Sequence, residues 1–390
     1  MHDAIRAWLE PRADEMVELL TELVAVETEN PPGRDLGTCA RLLRDAMTRL
    51  GLAPEVIELA PSGELEEPAV VRGTAGAGEE LLYFHGHFDV VPVQDRGQFT
   101  LERRDGRLIG RGTADMKGGL VSMLYGAAAA RELGLLGDGR IVLHLVCDEE
   151  TGSVAGAGHL RAAELADPRA VAMVTAEPSG GRIWHEACGA ISLRVDIRGR
   201  EAHVGQANTG VNAFAHLLHV ARPVEAYAAE MAARDNMVVV GGLAGGGSNF
   251  NVVPGAAFFT VDTRYQPEED LDAELKRLTG LIEGAAAEIG ADVSVEVTQL
   301  QPPAGTSPTH PAAVALARCV GEVEGTPARF ERCEGILDIR WYAQLGIPAF
   351  AYGAGRLDVS HGPAEYVDEA ALHRCAAVYA SYAATMLGGH

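Results

Sequence analysis

The side chains most able to do chemistry are two histidines and five acids: His87, Asp89, Asp115, Glu149, Glu150, Glu177 and His361. Most of them recur in one setting. LLYFHGHFDVVP (81–92) reads as a buried strand running into a turn that carries His87 and Asp89 two residues apart. IVLHLV (141–146) ends in Cys147-Asp148-Glu149-Glu150-Thr151-Gly152, and VAMV (171–174) ends in Thr175-Ala176-Glu177-Pro178-Ser179. Taken singly, each has a bland explanation: a capped structural histidine, a solvated acidic loop, a turn aspartate. Three apolar strands ending alike are another matter, because ligands in open α/β sheets collect at the carboxyl ends of strands. Asp115 sits among Gly110, Gly112, Gly118 and Gly119, a density that lets backbone approach a bound group.

Imidazoles and carboxylates without a cysteine suit Zn²⁺, Co²⁺ or Mn²⁺ better than a thiolate-loving ion. The set exceeds the three protein ligands of a usual catalytic zinc. Two metals sharing one bridging carboxylate use it economically, and Asp115, short and set in glycines, is the natural bridge. A water between two dications loses a proton near neutral pH. Glu149 and Glu150 are adjacent, so their side chains diverge; one can ligate while the other takes that proton and passes it to a leaving nitrogen. Asp89 would fix the tautomer of His87 from behind.

These residues must be positioned by an α/β scaffold. Helices are expected over 14–26, 36–50, 120–133, 311–323 and 368–387, the last with Asp368 as N-cap and small residues on its packing face. Strands are expected at 56–59, 69–72, 81–84, 141–146, 171–174 and 347–352. After Ala187 the texture changes. ISLRVDI (191–197) alternates like a half-exposed antiparallel strand, and strands at 237–242, 251–253, 257–263 and 293–297 with helices at 213–233 and 270–288 fit a β-α-β-β-α-β unit. The chain therefore reads as a catalytic α/β domain, 1–187 and 303–390, with a mostly parallel central sheet flanked by helices. An α+β domain, 188–302, is inserted into it.

The 390 residues suit two domains. A net charge of −23 argues against nucleic acid and anionic membranes as partners. Lys117 and Lys276 are the only lysines. Six scattered cysteines with no Cys-x-x-Cys read as reduced, buried thiols of a cytoplasmic protein. No apolar run approaches the ~18 residues of a membrane span. His85 shares the His87 side of its strand, with His87 the favoured ligand; His144 reads as a satisfied core group, and His216 and His219 as a packing face.

HGHFDVVP, GRGTADMKGG, DEETG, AEPS and SHGPAEYV stand in the order found in the co-catalytic di-zinc amidohydrolases, the family of acetylornithine deacetylase, succinyl-diaminopimelate desuccinylase, aminoacylase and glutamate carboxypeptidase, and the chain resembles that family over nearly its whole length. The resemblance implies that His87 and His361 each bind one zinc, that Asp115 bridges, that Glu150 completes one metal site and Glu177 the other, and that Glu149 is the general base with Asp89 orienting. It makes the inserted domain a lid and homodimerisation domain. There REAHVG implies that His203 stabilises the oxyanion, reaching into the partner subunit's site. SNFNVVPG points to Asn251 as a substrate contact, and VDTRY to Arg264 as the grip on a substrate carboxylate, a bidentate match. The segment 334–340, EGILDIR, departs from the Gly-Thr-Asp pattern of many relatives: Gly335 stays as a substrate contact, Ile336 replaces a hydroxyl, and Asp338 with Arg340 reads as a structural ion pair. The expected activity is hydrolysis of an N-acyl amino acid bearing a free carboxylate. An exopeptidase or dipeptidase on the same site is the alternative, and a catalytically silent binding protein a third reading, disfavoured by the intact ligand set.

Overall fold

The computed structural model describes residues 1–61 and 63–388; Gly389 and His390, which the sequence reading assigns to the catalytic domain, lie outside them. Two compact units emerge. The first comprises Met1–His185, Gly305–Arg332 and Asp338–His390, the second Glu186–Ala304 and Cys333–Leu337. The chain thus returns once more to the second unit, through five residues that sequence alone assigns to the first.

The first unit is built on a large mixed sheet. At its centre, strand Glu80–His87 runs parallel to Gly139–Val146 on one side and to Ala172–Thr175 on the other, and Ala349–Ala351 extends the parallel run. Antiparallel strands close both edges: Ala69–Gly76 and Glu55–Glu58 beyond Gly139–Val146, and Ile183–Ala187 beyond Ala349–Ala351. The parallel strands are buried almost throughout because helices flank the sheet and leave no solvent face, as parallel sheets require. The helix Lys117–Glu132 has no polar stripe. Gly118 to Ala130 are all buried, and at Gly126 it lies against Ala376, Tyr379 and Ala380 of the C-terminal helix Glu369–Leu387. Ala376, Ala380 and Ala383 supply the small packing face expected there.

Two glycines earn their place by close approach. A Cβ on Gly119 would collide with the carbonyl of Ala176, and one on Gly353 with those of Ala176 and Glu177. The backbone carrying Glu177 is therefore gripped from two sides, and glycine is the residue that permits it.

The second unit is one antiparallel sheet, in the order Met237–Gly246, Ala256–Arg264, Ala190–Arg198 and Asp292–Gln301, with helices Ala213–Ala232 and Leu271–Ile289. Chain order is β-α-β-β-α-β, and its core joins alternate strand residues Leu193, Val195, Phe259 and Val261 to Val220, Leu278 and Ile282 of the helices. Asn212 and Asp270 cap the two helices through their side chains.

Three local expectations fail. Residues 251–253 form no strand; Val252 makes only an isolated bridge to His203, because Pro254 and Gly255 end pairing there. Asp368 stands at the N-cap of the last helix, yet its carboxylate reaches Arg107 (3.4 Å) rather than the helix amides. His144 is a core group stacked on Tyr83, but only half satisfied: Nδ1 meets the Tyr342 hydroxyl at 2.9 Å while Nε2 has no partner among the described residues.

All six cysteines are buried, and no disulfide joins them among the described residues. No helix of the described residues is long and apolar enough to cross a membrane.

Lys117 is fully buried, and its Nζ donates to the carbonyls of Leu23 (2.8 Å) and Val26 (2.9 Å), tying the helix behind Asp115 to the end of helix Ala13–Ala25. Lys117→Met removes both bonds, leaving the Leu23 carbonyl only the amide of Val26 and the Val26 carbonyl only that of Thr28. It is expected to lower unfolding free energy by about 2 kcal/mol, read as a lower urea midpoint with unchanged slope; an unshifted midpoint would deny the anchor.

Candidate metal centre

Because three parallel strands lie side by side, their carboxyl ends open at one place. His87 is the last residue of its strand and pairs in register with Val146, while His85 pairs with Thr175. The His87 ring is fixed by its own chain: Nδ1 lies 3.0 Å from the Asp89 carbonyl and 3.3 Å from its carboxylate. The proton therefore belongs on Nδ1, which leaves Nε2 its lone pair. Nε2 lies 3.2 Å from Asp115 Oδ1 and 3.9 Å from Glu177 Oε1. The other oxygen of Asp115, Oδ2, lies 3.3 Å from His361 Nε2, which lies 3.3 Å from Glu150 Oε1.

Two ligand triplets result, His87–Asp115–Glu177 and Asp115–Glu150–His361, each with ligand atoms within 4.8 Å of one another. They share Asp115. His85 belongs to neither; its Nε2 bonds Asp338 and its Nδ1 the Tyr342 hydroxyl.

The donor set suits dications. Glu150 Oε1 and Glu177 Oε1 are buried acceptors without a hydrogen bond among the described residues; His361 approaches the first at 3.3 Å, close enough for attraction but poorly directed. Buried acceptors normally have donors. The titration behaviour points the same way. Burial pushes the Glu177 carboxyl up to about 8. Burial also raises Glu150, and raises Glu149 well above the carboxylate range with help from the charge of Glu177. The carboxylates of Asp115 and then Glu150, each 3.3 Å from Nε2, favour the protonated ring and lift His361 to about 10. Burial disfavours a charged His87, but Asp115 and Asp89 override it and hold its pKa high. Asp115, between both imidazoles, is held low despite its own burial. Carboxylates that climb and imidazoles that keep protons describe a site with too little positive charge of its own.

Asp89 does more than the sequence suggests. Its Oδ1 accepts from Glu149 N (3.2 Å), and its Oδ2 from Glu150 N (3.1 Å) and Asn30 Nδ2 (2.9 Å). One fully buried carboxylate thus orders both His87 and the turn Glu149–Thr151. Asn30 also donates to Thr151 Oγ1 at 2.9 Å.

Arg111 and Glu365 escaped notice although both sit inside the motifs that carry ligands. They form a fully buried ion pair at 2.6 Å. Glu365 Oε1 accepts the amides of Ala114 (3.0 Å) and Asp115 (3.1 Å). Arg111 Nη2 donates to the carbonyl of His361 (3.2 Å), which also receives Gln94 Nε2 (3.1 Å). His361 adopts φ 63°, a left-handed conformation uncommon outside glycine, and these donors hold it there.

The remaining expected residues lie in the second unit. His203 is exposed, caps its own turn through Nδ1 to Gly205 N (3.1 Å), and bridges to Val252 beside Asn251, whose carbonyl accepts from Val204 N. Arg264 is half-buried and bonded to Asp262 at 2.7 Å. Gly335 accepts from Cys188 N through its carbonyl at 3.1 Å.

Comparison with known proteins finds relatives along most of the chain. Residues 83–385 match the model of Peptidase family M20/M25/M40. The chain is 30% identical over 300 residues to a putative succinyl-diaminopimelate desuccinylase of Mycobacterium tuberculosis, covering 75% of this chain and 79% of that one. It is 27% identical to the acetylornithine deacetylase of Myxococcus xanthus, covering 95% and 97%. The fold is similar to that of human carnosine dipeptidase 1, with a TM-score of 0.79, 19% identity, and coverage of 99% and 98%.

Metal ligation requires neutral imidazole and ionised carboxylate. His361 at about 10 and Glu177 at about 8 hold protons at pH 7, so loading the protein with Zn²⁺ or Co²⁺ at that pH is expected to release them. The release should shrink as pH rises through 8 towards 10. Calorimetric titration in two buffers of different ionisation enthalpy measures it. A pH-independent proton count would show that these groups do not ligate.

Proposed function

The chain belongs to peptidase family M20/M25/M40, and from that premise we propose that this metallohydrolase cleaves the amide bond of an N-acyl amino acid. The observation that carries the proposal is the pair of ligand triplets joined at Asp115, with Glu149 beside them. In this reading His87, Asp115 and Glu177 hold one divalent ion, and Asp115, Glu150 and His361 the other. Zn²⁺ is the favoured ion, with Co²⁺ or Mn²⁺ as substitutes. Two such ions, when bound, polarise a carbonyl and acidify a water.

The chain's own part follows from its geometry. Glu149 makes no side-chain hydrogen bond among the described residues, and burial and the charge of Glu177 raise its carboxyl, the properties of a base that takes a proton and returns it to the leaving nitrogen. Asp89 fixes the amides of Glu149 and Glu150, so base and ligand keep a constant separation. His203 as oxyanion donor, and Asn251, Arg264 and Gly335 as substrate contacts, are proposed on motif resemblance. Arg264 is tied to an Asp262 that is 45% exposed, a pair worth little in water and open to exchange for a substrate carboxylate.

Names of the sequence relatives favour acetyl or succinyl groups. The likeness to a dipeptidase keeps a second reading, dipeptide hydrolysis on the same residues. We further propose a cytoplasmic homodimer formed through the inserted unit. The strand Met237–Gly246 is paired on one side only, and Val239 and Leu243 stand exposed on it, with Phe214 and Leu218 on the helix Ala213–Ala232.

Glu149→Ala should keep two metals per chain and lose at least ~10³ in kcat, since a proton shuttle is removed and no ligand is. A mass-spectrometric screen of acetyl-, succinyl- and formyl-amino acids and dipeptides, with this variant as blank, names the substrate class. Metal-replete variant protein that still turns over would reassign the base. Leu243→Glu should convert a dimer into monomers by light scattering; a wild-type monomer would remove the dimer proposal.

A further inference from the structure

The turn Glu149–Thr151 is a single 3₁₀ turn, too short to hold itself rigid. Asp89 secures its start. Its end runs through Gly152 (φ 105°) and Ser153 (φ 57°), two successive left-handed residues, the second fully buried. A serine in that conformation needs outside support.

The support comes from 185 residues downstream in sequence. Ser153 Oγ donates to Asp338 Oδ2 at 2.7 Å. Arg340 Nη2 donates to the Gly152 carbonyl at 2.8 Å, and its Nη1 lies 3.2 Å from Asp338 Oδ1. Both Asp338 and Arg340 are buried. Behind them a polar chain with a fixed direction completes the set. His85 Nε2 lies 2.8 Å from Asp338 Oδ2 and therefore donates to it. His85 Nδ1 is then an acceptor for the Tyr342 hydroxyl at 3.0 Å, and that oxygen can accept from His144 Nδ1 at 2.9 Å. Each proton has one place, so the Asp338 carboxylate is locked in orientation.

We propose that Asp338 is a positioning residue for the reaction: through Ser153, and with Arg340 on the Gly152 carbonyl, it fixes the trailing end of the turn that carries Glu149 and Glu150. The inference rests on the reading of Glu149 as the base. It assigns to the EGILDIR segment a task beyond the structural ion pair read from sequence. The base is held by two buried carboxylates, Asp89 on its leading side and Asp338 on its trailing side. Misplacement of a catalytic group by about 1 Å costs on the order of 10²-fold in rate, so loosening one end should be visible in kcat.

The discriminating variant is Ser153→Gly. Glycine accepts φ 57° without strain, so the backbone stays favourable while the hydroxymethyl group and its bond to Asp338 are lost. The expected result is a kcat about tenfold lower, with KM within twofold, two metals per chain by elemental analysis and a melting temperature close to wild type. Asp338→Asn, which keeps the shape but not the charge, should lower kcat further. If it does not fold, Ser153→Gly alone decides. Wild-type kcat in folded, metal-replete Ser153→Gly overturns the proposal, as does a loss that appears only in KM or only in melting temperature. Glu149→Ala, run alongside on an acetyl-amino acid, separates the two claims: activity in that variant removes the base assignment, whereas an inactive Glu149→Ala with fully active Ser153→Gly removes only Asp338.

Discussion

The repulsion among buried carboxylates at one end of a sheet is the constraint that shapes this molecule. Asp89, Asp115, Glu177, Asp148, Asp338 and Glu365 are all nearly or fully withdrawn from water, with Glu149 and Glu150 beside them. Ionised carboxylates in such surroundings either find compensation or take up protons. The structure divides compensation by purpose. Acids that organise the site receive amides and guanidiniums: Asp89 from Glu149 and Glu150, Asp148 from Ala155 and Gly156, Glu365 from Arg111 and two amides, Asp338 from Arg340, His85 and Ser153. Two acids of the candidate triplets, Glu150 and Glu177, keep a bare buried oxygen instead.

The rest of the first unit follows. Parallel strands bring three termini together, and a helix buried all round backs them. Glycines let Lys117–Glu132 and the Gly353 loop close on the chain that bears Glu177. Two buried arginines, Arg111 and Arg340, act on opposite parts of the centre, one holding Asp115 and His361, the other the turn after Glu150. Buried pairs of this kind contribute little net stability, and breaking one costs about 3–5 kcal/mol because the other charge is stranded. Their value here is geometric.

Much of this was legible in the sequence, for physical reasons that differ by residue. Apolar strands ending in acids marked the sheet and its active edge, since burial on both faces leaves no alternation to confuse the pattern. The five side chains of the two triplets stood out because each followed a strand or a glycine cluster. Alternating strands and an amphipathic helix marked the second unit. Asn30, Arg111 and Glu365 stayed hidden because their roles depend on backbone groups brought in from far along the chain, which no local spacing encodes. The same holds for Asp338, whose partners are Ser153 and His85. Residues 251–253 misled because two valines in a row resemble a strand until Pro254 withdraws a donor. Residues 333–337 were assigned to the first unit because a five-residue excursion leaves no change of composition to see.

Lys117 has a consequence outside the reaction. Of the two lysines in 390 residues, one is sealed in the core with its ammonium bonded to two carbonyls, so Lys276, exposed on the helix Leu271–Ile289, is the only accessible lysine side chain. Acyl donors, crosslinkers and dyes that attack side-chain amines therefore meet a single target, and it lies in the second unit. The first unit is left without a reactive side-chain amine, and a probe placed on Lys276 reports from the inserted unit alone.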